Sequence, residues 1–159
     1  MKISIVCAGK IKERFFREAA EEYGKRLSRY AQVKILEVAD EKTPEGASAK
    51  EEAMILDKEG NRILQAIPTD GYVIALAING KKYDSVGLSE HFSDLMTGGK
   101  SHLVFVIGGS LGLSGEVLRR ADERLSFSDL TFPHQLMRVI LLEQIYRAFR
   151  IMKGEPYHK

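Results

Sequence analysis

The sequence predicts an α/β protein with a mainly parallel sheet flanked by helices. Three observations carry that expectation. Strand-like and helix-like apolar patterns alternate along the chain, the order that yields parallel strands joined by crossover helices. Two runs, Tyr72 to Ile78 and Leu103 to Ile107, are unbroken apolar stretches, as central strands covered on both faces are. A glycine-rich stretch, Phe105 to Gly115, grows directly out of the second run. Ligands bind at such strand ends in open α/β sheets.

The elements follow in order. Lys2 to Ala8 alternates Ile3, Ile5 and Cys7 on one face and reads as a strand. Lys10 to Arg14 is a basic connector. Phe15, Phe16, Ala19, Ala20, Tyr23 and Leu27 then fall at helical spacing. Val33 to Ala39 is a second strand, and the charged stretch Asp40 to Gly46 is a loop expected to be mobile. Ala49, Ala53, Leu56, Ile63 and Ile67 form a helical stripe, interrupted at Gly60 and stopped by Pro68. After the first apolar run, Leu88, Phe92 and Leu95 mark a helix ended by Gly98 and Gly99. Val117, Leu118, Ala121 and Leu125 mark another that begins near Ser114. Leu125 to Ser128 is expected as a short last strand. Pro133 suits a helix start, and the helix from there ends at Gly154 and Pro156.

Length and composition narrow the class. The chain has 159 residues, 44% hydrophobic and 29% charged, and is expected to form one domain, 1–159. No apolar run approaches the about 20 residues of a membrane span, and no signal peptide pattern opens the chain. One cysteine, Cys7, makes neither an internal disulfide nor a Cys-rich zinc site, so a reducing cytoplasm is the expected location. The formal net charge of +2 is far from a protein that holds nucleic acid by charge alone. No histidine pair has metal-ligand spacing, and no Ser/His/Asp order or Cys/His pair suggests covalent catalysis.

Three stretches could carry chemistry. In FVIGGSLGLSG, glycines let a ligand approach the backbone. Its GxxGxxG spacing is not a dinucleotide fingerprint, and the nearby Gly99-Lys100-Ser101 has Asp94 where a phosphate loop needs glycine. LAINGK at 76–81 is a second strand end; a plain surface turn and a ligand wall fit it equally well. SFSDLTFPH at 126–134 mixes small polar residues with Phe127, Leu130 and Phe132, and suits either a connector or an adenine-like ring. The tail GEPYHK gathers Tyr157, His158 and Lys159, although fraying is the default for such an end.

Taken together, MKISIVCAGKIK, LDKEG at 56–60, FVIGGSLGLS at 105–114, LSFSDLTFPHQLMRVILLEQIYRAF at 125–149 and PYHK at 156–159 resemble one family. It is the ribosomal large subunit methyltransferase H (RlmH) family of the SPOUT superfamily, and the resemblance spans the chain. It implies an α/β knot with a C-terminal trefoil, a homodimer, and no metal. It also implies methyl transfer from S-adenosylmethionine to N3 of a pseudouridine in 23S rRNA of the assembled 70S ribosome. Leu76, Gly108, Gly109 and Phe127, Ser128, Asp129, Leu130, Thr131 and Phe132 would bind the cofactor. Pseudouridine N3 is protonated at neutral pH and must lose that proton to attack. His158 of a partner subunit would accept it or hydrogen-bond the base, Tyr157 would position the base, and Lys159 and Arg138 would meet phosphate or developing charge. Two rival readings are a SPOUT enzyme acting on tRNA and a non-catalytic ribosome-binding factor. A flavodoxin-like nucleotide module, the third, lacks a phosphate loop.

Overall fold

The computed structural model describes residues 1–159. Strand β1 (Lys2–Ala8) and strand β4 (His102–Ile107) lie at the middle of a five-stranded sheet. The order is β2-β1-β4-β3-β5, with β2 (Gln32–Val38), β3 (Tyr72–Lys81) and β5 (Glu123–Leu125), and every pairing is parallel. Alternation in β1 divides its side chains between two cores. Ile3, Ile5 and Cys7 face one layer; Val6 and Ala8 face the other. Both faces being covered explains the continuous apolar runs.

Helices α1 (Arg14–Leu27), α3 (Ser85–Thr97) and α5 (His134–Met152) cover the larger core, where Phe92, Phe105, Leu141, Leu142 and Ile145 are buried. Helices α2 (Ala49–Ala66) and α4 (Gly115–Arg120) cover the smaller one around Val6, Ile63, Val104 and Val117. Helix α2 starts on a reciprocal cap between Ser48 and Glu51. Ser114 caps α4 by accepting from Val117 N–H.

Several expectations need correction. Gly60 does not interrupt α2, which runs unbroken through it. A Cβ there would lie 2.4 Å from Ser114 Oγ, so the glycine permits α2 to pack against the cap of α4. The last strand lies at Glu123–Leu125, earlier than expected, and residues 126–133 are connector. A Ser/His/Asp order does arise in space: Ser4 Oγ is 2.8 Å from His102 Nε2, and Asp70 Oδ1 is 2.9 Å from Nδ1. Ser4 is buried in a central strand, at the end of the sheet opposite the glycine-rich loop. The relay ties β1, β4 and the turn before β3 together.

The carboxyl end of β3 is irregular. Leu76 and Lys81 both pair with Leu125, so residues 77–80 loop outward between them. Ser126 N–H then donates to Lys81 O at 2.9 Å. The end of β3 therefore bends around the chain as it leaves β5.

Candidate functional site

Three strand ends meet at one cavity of about 370 Å3. Its walls are Leu76 to Asn79 from β3, Ile107 to Gly109 with Gly112 and Leu113 after β4, and Leu125 to Ser128 with Leu130 to Phe132 after β5. His134 and Met137 from the first turns of α5 complete the lining. The volume lies within the range of about 300–1,000 Å3 typical of small-molecule sites.

The floor is bare backbone for a steric reason. A Cβ at Gly108 would fall 2.3 Å from Gly112 O, and one at Gly109 would fall 3.0 Å from Glu59 Oε1. Glu59 is buried beneath this loop and accepts from Glu41 N–H at 2.8 Å. Burial holds its carboxyl above the usual range, against the lowering effect of that hydrogen bond. Thr43 Oγ1 lies 3.2 Å from Ser110 Oγ, and Arg62 pairs with Glu41 at 2.7 Å. The charged 40–46 segment, expected to be mobile, is pinned to the glycine loop and α2 by these contacts.

The polar groups in the wall are few and uncharged. Asn79, Ser126, Ser128 and Thr131 line it, Ser128 Oγ accepting from Leu130 N–H at 3.0 Å. Burial, helped by the nearby Arg138 charge, lowers the His134 pKa, which favours the neutral ring. Its Nδ1 is buried without a partner in the protein. Of the residues carried over to the cofactor, Leu76, Gly108, Gly109, Phe127, Ser128, Leu130, Thr131 and Phe132 line this cavity. The Asp129 side chain points away and pairs with Lys82 at the surface. His134 and Met137 were not singled out as cavity residues. Their signal was the Pro133 helix start, which presents the next turn to the loop before it.

Arg138 requires correction. Its guanidinium is 1% exposed, bonded to Glu37 Oε2 at 2.7 Å and to Gly9 O at 3.1 Å. It braces β1, β2 and α5 and presents no face to an RNA phosphate. Its burial depends on a carboxylate 101 residues away in sequence, which local pattern does not reveal.

The tail is also not frayed. Glu155 pairs with Arg150 and accepts from Tyr30 Oη–H. Arg150 Nη2 donates to Pro156 O at 2.8 Å. Tyr157 packs edge-on against Tyr146 and donates to Glu143 Oε1 at 3.0 Å. Burial and the Glu143 carboxylate push its phenol up to about 12, so it stays a donor at neutral pH. His158 Nδ1 lies 3.2 Å from Arg147 Nη1. Tyr157 and His158 are thus held on the flank of α5, Lys159 follows them, and none of the three lines the cavity of its own chain.

A family model described as predicted SPOUT methyltransferase matches residues 1–158. The chain belongs to the SPOUT methyltransferase family. SPOUT methyltransferases in general take their methyl group from S-adenosylmethionine. Within the family, its relatives include proteins named ribosomal RNA large subunit methyltransferase H. That of Clostridioides difficile strain 630 is 60% identical and that of Clostridium novyi strain NT 58% identical, each over the full length of both chains. Among solved structures, a probable methylase family protein from Haemophilus influenzae Rd KW20 superposes with a TM-score of 0.58 at 14% identity. It covers 99% of this chain and 70% of that one, and that likeness supports the SPOUT fold alone.

Proposed function

We propose that this SPOUT chain methylates N3 of a pseudouridine in 23S rRNA of assembled ribosomes, with S-adenosylmethionine as donor. One observation carries the reading: three strand ends converge on a small, mostly apolar cavity floored by side-chain-free backbone. The full-length relatives named for large-subunit rRNA supply the substrate class. Residues 1–159 act as one domain, in the cytoplasm. The bend of 77–80 around the start of the 126–133 connector favours the trefoil knot that the resemblance implies.

The cavity fits the donor. Its apolar walls and the free backbone groups of 126–132 suit an adenine ring. The bare floor at Gly108 and Gly109 admits the rest, and no charged side chain lines the wall to oppose a sulfonium. When bound, S-adenosylmethionine supplies an already activated methyl group, so this chemistry requires no metal. The protein must hold N3 in line and assist loss of its proton. His158 accepts that proton or hydrogen-bonds the base, Tyr157 positions the base while its hydroxyl stays on Glu143, and Lys159 meets phosphate. These groups act on the partner's cavity in a homodimer. That no tail residue lines its own cavity supports this arrangement. So does a stripe on α5, where Leu136, Ile140 and Ile151 are partly exposed and outside the core.

The test is methyl transfer from radiolabelled S-adenosylmethionine to 70S ribosomes, separated subunits and tRNA. Label in large-subunit rRNA, absent when that rRNA lacks the pseudouridine, is expected. Label confined to tRNA would overturn the substrate, and absence of donor binding would overturn the enzyme.

A further inference from the structure

One strongly charged segment is used by neither the cavity nor the tail. Residues 10–17, KIKERFFR, hold four basic groups and one acidic group, a surplus larger than the +2 of the whole chain. Lys10, Lys12, Arg14 and Arg17 are all exposed. Arg14 pairs only with Glu18, at the surface. Among them stands Phe15, 62% exposed, while every other Phe and Tyr of the protein is partly or wholly buried. Its ring rests against Phe16, with centroids 4.4 Å apart, which limits its freedom without covering its outer face.

The segment is rigidly registered to the candidate site. Lys12 N–H donates to Gln135 Oε1 at 2.9 Å, and Ile11 N–H donates to Glu37 Oε2 at 3.1 Å. Arg138 holds Gly9 O immediately before it. Gln135 lies between His134 and Met137, both in the cavity wall. Whatever binds residues 10–17 is therefore held at a set position relative to the cavity.

Free cations beside a bare ring match the two faces of a single nucleic acid strand. Ammonium and guanidinium groups track phosphates, and an aromatic ring stacks on an unpaired base. An acidic peptide would account for the cations but not for the exposed ring. We propose that residues 10–17 are a docking edge for single-stranded RNA, taking the rRNA that flanks the target base. This rests on the rRNA methyltransferase reading above.

The experiment compares wild type with Lys10→Ala/Lys12→Ala and with Phe15→Ala. It measures KM and kcat on 70S ribosomes across salt concentrations, donor affinity by calorimetry, and mass by light scattering. The double variant should raise ribosome KM by about tenfold or more and flatten its logarithmic salt dependence by about 1.4, with donor affinity kept. Phe15→Ala should raise KM by about fivefold or more without changing the salt slope. Unchanged KM in both variants, with wild type active, would overturn the docking edge and leave the enzyme reading intact. Dissociation of Phe15→Ala into monomers would overturn it too, since the ring would then belong to a contact between copies. Wild type that labels no rRNA would overturn the enzyme reading, and the docking edge with it.

Discussion

Gly108 is the residue on which the candidate site most depends. A methyl group there meets the Gly112 carbonyl at 2.3 Å, and backbone cannot yield as a side chain tip can. Gly108→Ala should therefore weaken S-adenosylmethionine binding by about tenfold or more, as calorimetry would show, and cost about 1–3 kcal/mol of stability in urea titration. The Asp70–His102 contact makes a different kind of prediction. The hydrogen bond to His102, before any effect of Lys2, holds the Asp70 carboxyl below its usual range. A lowered carboxyl pKa adds stability that is present above the unfolded pKa of about 4 and is lost as pH falls through the folded value. The Tm advantage of wild type over Asp70→Asn should thus be full at pH 6 and shrink as acid protonates the Asp70 carboxyl of the folded protein. At this scale the sequence was legible where a residue's type limits its backbone, as at Gly108 and Pro133. It was not legible where a charge is buried by a distant partner. Arg138 depends on Glu37, and Glu59 lies beneath a loop some 50 positions later.

At the scale of elements, local patterning was readable because the sheet has two covered faces and each helix has one. The β3 and β4 patterns mark central strands, the alternation of β1 marks a strand without showing that it is central, and the helical patterns mark five helices. The position of the last strand was misjudged because 123–125 is too short to show a period, while Phe127 anchors a connector with strand-like residues. The order of the tail is out of reach of a local reading because its partners lie in the turn after α1, at Tyr30, and on α5, at Glu143 and Arg150. Arg150 joins Glu155 and Pro156 O, so Arg150→Ala should release the tail. Amide exchange at Glu155, Tyr157 and His158 is expected to accelerate at least tenfold, while β4 keeps its protection. Equal exchange rates in both proteins would show that Tyr157 alone holds it. Removing residues 155–159 should lower methylation of ribosomes by about 10²–10⁴-fold, the usual worth of a positioned acid–base group, with donor affinity retained.

At the scale of the whole molecule, the proposed function requires a pair. Helix α5 buries Leu141, Leu142 and Ile145 inward while Leu136, Ile140 and Ile151 lie outside that core; in the proposed homodimer two such stripes would face each other in an isologous contact. Ile140→Glu should yield monomers by light scattering and lose methylation, although the cavity keeps its lining. A dimeric, inactive variant would separate the helix stripe from assembly. Periodicity does not reach such a pairing, because an apolar residue on a helix does not disclose whether its neighbour is the same chain or another copy.

The most direct test of a site shared between two chains is complementation. One variant carries Gly108→Arg, which fills the cavity floor; the other lacks residues 155–159. Each alone should be inactive on ribosomes. Mixed and refolded together at equal amounts, they should recover about a quarter of wild-type methyl transfer, since half of the dimers are mixed and each has one complete site. A mixture as inactive as its parts, or full activity in the truncated chain alone, would contradict a tail that serves the partner's cavity.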